Sequence, residues 1–181
     1  MIDVFMIDPP WPISMRGSRR VRPNQAKKLS YSTLSIGEIF ESLDNLIFPL
    51  AHVQNHTVFL WTVDKFLLSA EEAMSLRGYK RHVRLIWSKL EGAAPAFSVR
   101  FCHEYLLWYY KPKFMPVAKD ARGVYSTVIQ ESSREHSRKP DAAYDMVKAL
   151  YPDATRLDVF SREYRDGWLC WGNEEGKFNS V

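Results

Sequence analysis

The residues of this chain that are best suited to chemistry are Asp8, Pro9, Pro10 and Trp11, which follow one another directly. A carboxylate accepts hydrogen bonds from an amine, and prolines fix φ and so hold the carbonyls of the turn rigidly outward. An indole offers a flat face on which an aromatic ring can stack. Together these groups predict a binding site for an aromatic ring that carries an amine.

The element that must position this motif is the apolar run at residues 2–7, which is rich in Ile, Val and Phe. Such a run is typical of a buried strand in a mostly parallel sheet, and the prolines end it because they cannot donate ladder hydrogen bonds. Ligands of open α/β sheets bind outside the carboxyl ends of the strands. Taken singly, Asp-Pro-Pro is also ordinary turn chemistry, and a Trp is most often a buried hydrophobe. Contiguity behind a strand favours the functional interpretation.

Strand and helix patterns alternate along the rest of the chain. A capping box at Ser35 and Glu38 starts a helix of about three turns. Further helices are predicted over residues 66–76 and 141–150, and strands over residues 57–62, 83–87, 105–110, 126–131, 155–160 and 168–171. This order predicts an α/β fold, and the short loop before the last strand predicts an antiparallel pair at the sheet edge. The long loops at residues 90–101 and 112–126 are predicted to be lids.

Length and composition predict a single domain over residues 1–181 with one buried core. No apolar stretch is long enough to span a bilayer, and no signal-peptide pattern is visible, so we expect a soluble, cytoplasmic protein. Cys102 and Cys170 lie far apart without metal-ligand spacing. We therefore expect no metal site and a reducing compartment.

A basic segment follows the Asp8 motif in a chain whose net charge is +4. It contains six basic residues and no acidic one: Arg16, Arg19, Arg20, Arg22, Lys27 and Lys28. Because it starts five residues after Trp11, it emerges beside the predicted ring site, where cations can neutralise phosphates. A solvated loop is the alternative. We predict a nucleic-acid contact.

The chain resembles the adenine N(6)-methyltransferases related to the catalytic subunit of the messenger-RNA adenosine methyltransferase, a family with small bacterial and phage members. The resemblance covers nearly the whole chain. Its blocks, in order, are Asp8-Pro9-Pro10-Trp11, Tyr31-Ser32-Thr33-Leu34-Ser35, Phe59-Leu60-Trp61-Thr62, Gly78-Tyr79 with Ile86-Trp87-Ser88-Lys89, Glu104-Tyr105-Leu106-Leu107, His136-Ser137-Arg138-Lys139-Pro140-Asp141, and Leu157-Asp158-Val159-Phe160 with Trp171-Gly172-Asn173-Glu174.

This resemblance implies a Rossmann-like, three-layer methyltransferase fold with a permuted motif order, in which the catalytic motif comes first and the cofactor-binding strand late. It implies transfer of a methyl group from S-adenosylmethionine to the exocyclic amine of adenine, with S-adenosylhomocysteine as product and no metal. The catalytic residues it implies are Asp8, Pro9, Pro10 and Trp11.

The resemblance also implies a cofactor site, in which the loop at residues 161–167 and Asn173-Glu174 hold the adenosine portion and Lys139 lies near the methionine or sugar end. An ammonium can pair with the cofactor carboxylate, and we expect Glu104 to position Lys139. The implied cofactor-binding residues are Asp8, Lys139, Asp158, Phe160, Arg162, Tyr164, Arg165, Asn173 and Glu174. The residues expected near the cofactor adenine differ from the family pattern in two places. Phe160-Ser161-Arg162 replaces the glycine-rich loop of many methyltransferases, and Tyr164-Arg165 stands where the eukaryotic relative has His-Asn.

The expected partner is nucleic acid, with DNA favoured over RNA, and no membrane. Tyr31 joins the six basic residues of the basic segment as a predicted nucleic-acid contact. A homodimer or a second methyltransferase-like subunit is possible within such a family. Two alternatives stay open. One is a catalytically silent subunit that binds nucleic acid or a partner, and the other is an amine methyltransferase that acts on protein.

Overall fold

The computed structural model describes residues 1–12, 33–90, 99, 101–134 and 138–172. These residues form strands that we number β1 (Val4–Ile7), β2 (His56–Thr62), β3 (Lys80–Ser88), β4 (His103–Lys111), β5 (Val128–Gln130), β6 (Arg156–Val159) and β7 (Leu169–Trp171). The α-helices are α1 (Ile36–Ser42), α2 (Leu67–Leu76) and α3 (Asp141–Leu150). A π-helical turn (Leu43–Ile47) and a 3₁₀ turn (Phe48–Leu50) extend α1.

The α1 helix begins where its capping box predicts. The Ser35 side chain accepts the Glu38 N–H, and the Glu38 carboxylate accepts the Ser35 N–H at 2.7 Å. Each bond satisfies a backbone donor that has no partner within the helix. The confirmed cap fixes where the chain re-enters the fold below the Asp8 motif.

The strands form one seven-stranded sheet in the order β5-β3-β4-β2-β1-β6-β7. β1 lies in its middle, parallel to β2 on one side and to β6 on the other. The one antiparallel strand in the described sheet is β4, which lies between β2 and β3. The mostly parallel α/β fold is therefore confirmed.

The predicted antiparallel pair at the sheet edge is wrong, because β7 pairs with β6 in parallel. Residues 160–168 carry the chain back over the edge, so that Leu169 pairs with Leu157. The turn that starts this return is at Phe160, whose φ of 61° lies in the left-handed region. A loop of this length can therefore make a parallel return, which its shortness alone did not suggest.

Helices cover both faces of the sheet and make three layers. Successive residues of β1 point to opposite faces: Phe5 and Ile7 pack with α1 and α2, whereas Val4 and Met6 pack with α3. All four side chains are fully buried. Burial on both faces explains why this strand reads as a continuous apolar run.

The segment at residues 112–126 packs beside the carboxyl-terminal end of α3, the end away from Asp8. The Ala118 N–H donates to the Leu150 carbonyl at 2.9 Å, and the Tyr151 hydroxyl donates to the Met115 carbonyl. The prediction that this segment is a lid over the site is therefore wrong. Most of the other predicted lid, at residues 90–101, lies outside the described residues.

Within the described ranges, no helix combines the length and the apolar character that a bilayer crossing requires.

Candidate active site

The ends of β1, β2 and β6 place the candidate site at one edge of the sheet. Ile7 pairs with Leu60 of β2 and with Val159 of β6, so Asp8 emerges between two parallel neighbours. The Asp8 N–H donates to the Val159 carbonyl at 3.2 Å. Asp8 thus follows the last ladder position of the central strand, at the edge where ligands of such sheets bind.

The turn after Asp8 is held by its own backbone and by the residue that leads into α1. The Trp11 N–H donates to the Pro9 carbonyl at 2.8 Å, and the Leu34 N–H donates to the Pro10 carbonyl at 3.0 Å. Each proline carbonyl therefore has one lone pair engaged by a described residue. The turn is fixed in place before any ligand arrives.

Trp11 lies in the core, with only 4% of its surface exposed. Its ring stacks on Phe66 at a centroid distance of 5.4 Å and an interplanar angle of 14°. Its Nε1–H donates to the Trp61 carbonyl at 3.0 Å, next to the end of β2. One face of the indole is therefore covered, and its role as a stacking surface for a base stays a prediction.

A chain of alternating charges runs from Asp8 across the site. Lys139 Nζ lies 3.0 Å from Asp8 Oδ1 and 3.1 Å from Glu104 Oε2, and Lys89 Nζ lies 2.6 Å from Glu104 Oε1. Glu104 stands near the start of β4, and Lys139 comes just before α3. The contact that was expected between Glu104 and Lys139 is present.

These contacts keep the buried members of the chain ionised. Burial alone would lower the pKa of Lys139, but the carboxylates of Asp8 and Glu104 outweigh burial and raise it. Burial alone would raise the pKa of Glu104, but Lys139 and Lys89 outweigh it and lower that pKa to about 2. At neutral pH, Lys139 is therefore a buried cation between two acidic side chains.

The segment that carries Lys139 is fixed by a carboxylate from beyond β5. Glu131 accepts the N–H groups of Asp141 and Ala142 at 3.1 and 2.9 Å and so caps the first turn of α3. The Arg134 guanidinium also donates to the Lys139 carbonyl at 3.1 Å. Helix capping of this kind orients the residues just before the helix.

A second acidic group, Asp158 of β6, lies on the same cleft and is 1% exposed. The Ser161 hydroxyl oxygen lies 3.1 Å from Asp158 Oδ2, and the Tyr144 hydroxyl oxygen lies 3.4 Å from Asp158 Oδ1. Burial raises the pKa of Asp158 to about 7, and the Asp8 charge adds to that effect, although Arg165 and Ser161 oppose it. Asp158 therefore titrates near neutral pH.

Arg165 closes the far side of this cleft. Its guanidinium carbon lies 3.7 Å from the centroid of the Tyr144 ring, a cation–π contact. Arg165 Nη1 lies 3.6 Å from Asp158 Oδ2, and Arg165 Nη2 lies 2.6 Å from Glu163 Oε2. Glu163 in turn pairs with Arg138.

The cleft brings most of the predicted cofactor residues together. Its lining includes these predicted residues: Asp8, Lys139, Asp158, Phe160, Arg162 and Arg165. Tyr164 lies on the same loop and is 55% exposed. Two predicted cofactor residues and all predicted nucleic-acid contacts lie outside the described residues: Asn173, Glu174, Arg16, Arg19, Arg20, Arg22, Lys27, Lys28 and Tyr31.

The sequence singled out none of four further lining residues as individual site residues, although two of them belong to the loop expected to hold the adenosine portion: Arg138, Tyr144, Ser161 and Glu163. Arg138 and Ser161 stand beside assigned residues, so proximity in the sequence could have found them. Tyr144 lies on the buried side of α3, in the first turns of the helix that follows Lys139. Its place in the sequence is only a weak indication that it lines the cleft. No signal in the sequence pairs Glu163 with two arginines.

The described ranges contain no group of His, Cys, Asp and Glu side chains arranged to hold a metal ion.

Comparison with known proteins adds to this geometry. A sequence profile of the MT-A70 family matches residues 2–174. The chain belongs to the MT-A70 family. The MT-A70 match includes Asp8, Lys139 and Asp158, which all line the cleft.

Individual relatives fall into two groups by length. This MT-A70 chain is 28% identical over 176 residues to the N(6)-adenosine-methyltransferase MT-A70-like protein of Arabidopsis thaliana, covering 94% of the chain and 23% of that relative. It is 25% identical over 177 residues to the N(6)-adenosine-methyltransferase catalytic subunit METTL3 of Homo sapiens, covering 94% of the chain and 28% of METTL3. It is 24% identical over 185 residues to the Type II methyltransferase M.MunI of Mycoplasma sp., covering 94% of the chain and 76% of M.MunI. The chain thus spans about a quarter of the length of the N(6)-adenosine-methyltransferases that it matches.

Proposed function

We propose that this MT-A70 protein transfers a methyl group from S-adenosylmethionine to the exocyclic N6 amine of adenine in nucleic acid. The observation that carries the proposal is the placement of Asp8 at the end of the central strand, 3.0 Å from the buried Lys139 ammonium and on the same cleft as Asp158. Its support is the family match over residues 2–174 and the relatives named N(6)-adenosine-methyltransferases.

The adenine amine is a weak nucleophile because its lone pair is delocalised into the ring. In the proposed reaction, Asp8 and one proline carbonyl accept the two amine hydrogens, which favours a pyramidal nitrogen whose lone pair faces the methyl group. Alignment of this kind can contribute several kcal/mol to catalysis. The nitrogen loses one proton as the N–CH₃ bond forms, and Asp8 or a water next to it accepts that proton.

The polar groups of the turn fit this role. The carbonyls of Pro9 and Pro10 have two lone pairs each, and the hydrogen bonds that described residues donate to them come from Trp11 and Leu34. We assign Trp11 to holding the turn against β2, since its indole N–H and one of its faces are engaged. A target adenine in duplex DNA would have to be flipped out of the stack first.

The lining of the cleft fits S-adenosylmethionine, which carries a carboxylate, an ammonium, a sulfonium and ribose hydroxyls. Lys139 offers an ammonium for the carboxylate, and Asp158 with Phe160, Arg162 and Arg165 lies where the adenosine portion would bind. Tyr164, Asn173 and Glu174 complete the proposed set. When bound, the cofactor supplies the electrophilic methyl group.

We favour DNA as the substrate, because the Type II methyltransferase M.MunI is the relative of which the chain covers 76%, whereas it covers 28% of METTL3. The basic segment from Arg16 to Lys28 would neutralise backbone phosphates beside the flipped base. METTL3 is named a catalytic subunit, and we therefore propose that the working form here includes a second copy of this chain or another subunit.

The direct test is incubation of the full chain with S-adenosylmethionine bearing a deuterated methyl group and with single- and double-stranded DNA or RNA. The nucleic acid is digested to nucleosides and labelled N6-methyladenine is measured by mass spectrometry. We expect label in adenine and more of it in DNA than in RNA. Cofactor binding without label in any nucleic acid would indicate a silent subunit, and label recovered in protein would indicate an amine methyltransferase of the protein-modifying kind.

A further inference from the structure

Glu163 is a highly connected carboxylate on the cleft, although it is not among the predicted cofactor residues. It is 8% exposed. Its Oε2 accepts hydrogen bonds from Arg138 Nε at 3.0 Å and from Arg165 Nη2 at 2.6 Å. Its Oε1 accepts a hydrogen bond from Arg138 Nη2. Its own backbone carbonyl accepts the Ser161 hydroxyl at 2.8 Å, which holds the loop that presents the carboxylate.

The two arginines come from different walls of the cleft. One wall carries Asp8 and Lys139, which contact each other, and Arg138 directly precedes Lys139 in the chain. Arg165 belongs to the loop after β6 and lies beside Asp158 and over Tyr144 on the other wall. Glu163 therefore joins the two walls by hydrogen bonds to both arginines.

The balance of charge around the cleft depends on this carboxylate. The cationic side chains of the lining are Arg138, Lys139, Arg162 and Arg165, and the acidic ones are Asp8, Asp158 and Glu163. Asp8 is already engaged by Lys139, and burial raises the pKa of Asp158 to about 7, so Asp158 carries only part of a charge at neutral pH. Glu163 is thus an acidic group of the lining that contacts both Arg138 and Arg165.

Resting on the function proposed above, we propose that Glu163 is a positioning and specificity residue that lets this arginine-rich cleft accept a positively charged cofactor. S-adenosylmethionine carries one positive charge more than S-adenosylhomocysteine, because its sulfur is a sulfonium. Arg138 and Arg165 would repel that charge if Glu163 did not neutralise them. Glu163 therefore favours the methyl donor over the product, which must leave after each turnover.

The test compares Glu163→Gln with Glu71→Gln in the full chain. Glu71 is a matched control because its carboxylate also accepts two arginines, Arg81 at 2.5 Å and Arg84 at 2.6 Å, and it belongs to α2 on the other face of the sheet. Calorimetry measures the Kd of S-adenosylmethionine and of S-adenosylhomocysteine for each variant, and thermal unfolding measures the Tm.

We expect Glu163→Gln to weaken S-adenosylmethionine about tenfold, which corresponds to about 1.4 kcal/mol, and to weaken S-adenosylhomocysteine much less. The KM for the methyl donor should rise with a smaller change in kcat. Glu71→Gln should leave both Kd values unchanged. Addition of Arg138→Gln to Glu163→Gln restores the net charge of the cleft and should recover most of the affinity for the methyl donor.

Equal weakening of the two ligands by Glu163→Gln, or no recovery in the double variant, would overturn the inference and leave Glu163 a purely structural residue. Unchanged affinities would overturn it as well. Failure of the wild-type chain to bind either ligand is a different result, since it would contradict the proposed function itself.

Discussion

Lys139 Nζ and Asp8 Oδ1 lie 3.0 Å apart, although the first residue precedes α3 and the second follows β1. This ion pair joins the element that carries the proposed catalytic carboxylate to the element that carries the proposed cofactor ligand. Because Glu104 lies 3.1 Å from the same ammonium, Lys139 keeps a partner when Asp8 changes its contacts. The carboxylate can therefore turn toward a substrate amine without leaving a buried charge unpaired.

This relationship predicts the behaviour of Asp8→Ala. We expect methyl transfer to fall by about 10³-fold, in the range expected when a proton acceptor is removed, while the affinity for S-adenosylhomocysteine stays measurable. The fold should survive, because Glu104 still pairs with Lys139. Asp3→Ala is the control, since Asp3 stands before β1 at its other end and accepts the Thr155 N–H. Full activity of Asp8→Ala would refute the mechanism.

The raised pKa of Asp158 predicts how stability depends on pH. The folded protein keeps the Asp158 proton up to a pKa of about 7, whereas the unfolded chain loses it near the ordinary value of about 3.9. The folded state therefore binds more protons between these pH values. This group makes the free energy of unfolding fall as pH rises from about 4 to about 7, by at most about 1.4 kcal/mol per pH unit.

Replacement of Asp158 by Asn removes that titration. We expect Asp158→Asn to flatten the pH dependence between about pH 4 and pH 7 and to raise the free energy of unfolding at pH 8, measured by urea denaturation. Asp166→Asn is the control, because the Asp166 side chain is fully exposed. An identical pH profile in Asp158→Asn and wild type would show that the buried acid does not titrate in this window.

The burial of Trp11 predicts that this side chain positions the turn after Asp8 and does not stack on the target base. Trp11→Phe keeps an aromatic ring against Phe66 but removes the hydrogen bond to the Trp61 carbonyl. We expect the free energy of unfolding to fall by about 1–3 kcal/mol and kcat to fall with little change in the KM for nucleic acid.

Trp108→Phe is the control, since its Nε1–H donates to Thr57 Oγ1 at 2.8 Å near the start of β2, away from the Asp8 edge. It should lower stability without lowering kcat. A raised KM for nucleic acid in Trp11→Phe, with kcat unchanged, would instead support a stacking role for Trp11.

The close approach of Gly172 to the loop after β6 predicts a strong effect of a methyl group. A Cβ at this position would lie 2.9 Å from both the N and the O of Ser161. We expect Gly172→Ala to lower the free energy of unfolding by about 1–3 kcal/mol and to weaken cofactor binding, because the Ser161 loop must move. Gly37→Ala, where the nearest such contact is 4.0 Å in an exposed helix, should stabilise by about 0.5–1 kcal/mol. Equal effects at the two glycines would contradict this account.

The basic segment predicts a salt effect on nucleic-acid binding. Replacement of Arg19, Arg20 and Arg22 by Gln should weaken binding and lower the slope of log K against log salt by about 0.9 for each phosphate that the variant no longer neutralises. Gln at Lys80, Lys113 and Lys119 changes the same charge on exposed residues remote from the Asp8 edge and serves as control. An unchanged slope in the arginine variant would contradict the nucleic-acid contact and favour the alternative of a solvated loop.

Regular structure was predictable where the sequence shows helical spacing or an apolar run. The helix predicted over residues 141–150 matches α3, and β2 and β6 lie within a residue of their predicted bounds. The position of β4 was not predictable, because Leu106, Leu107 and Trp108 are all buried. A strand that is buried on both faces carries no sign of its direction or of its neighbours.

The site was predictable where one motif holds the chemistry and unpredictable where the fold joins distant residues. Asp8 could be identified from its place after a strand, and Lys139 from its resemblance block. Glu163 could not, because its role depends on arginines that only the parallel return after Phe160 brings together. The residue that covers Trp11 was not predictable from the motif either, since Phe66 lies far along the chain.

The central position of β1 has a consequence for protein synthesis. β1 precedes the other described strands in the chain, yet it pairs on one side with β6, and Asp8 can meet Lys139 only after the segment before α3 has been made. Domains fold as units while the ribosome proceeds from the amino terminus. The end of β1 that carries Asp8 is thus translated well before the residues that complete the candidate site, so a nascent chain that does not yet include β6 carries the Asp8 motif without the rest of that site.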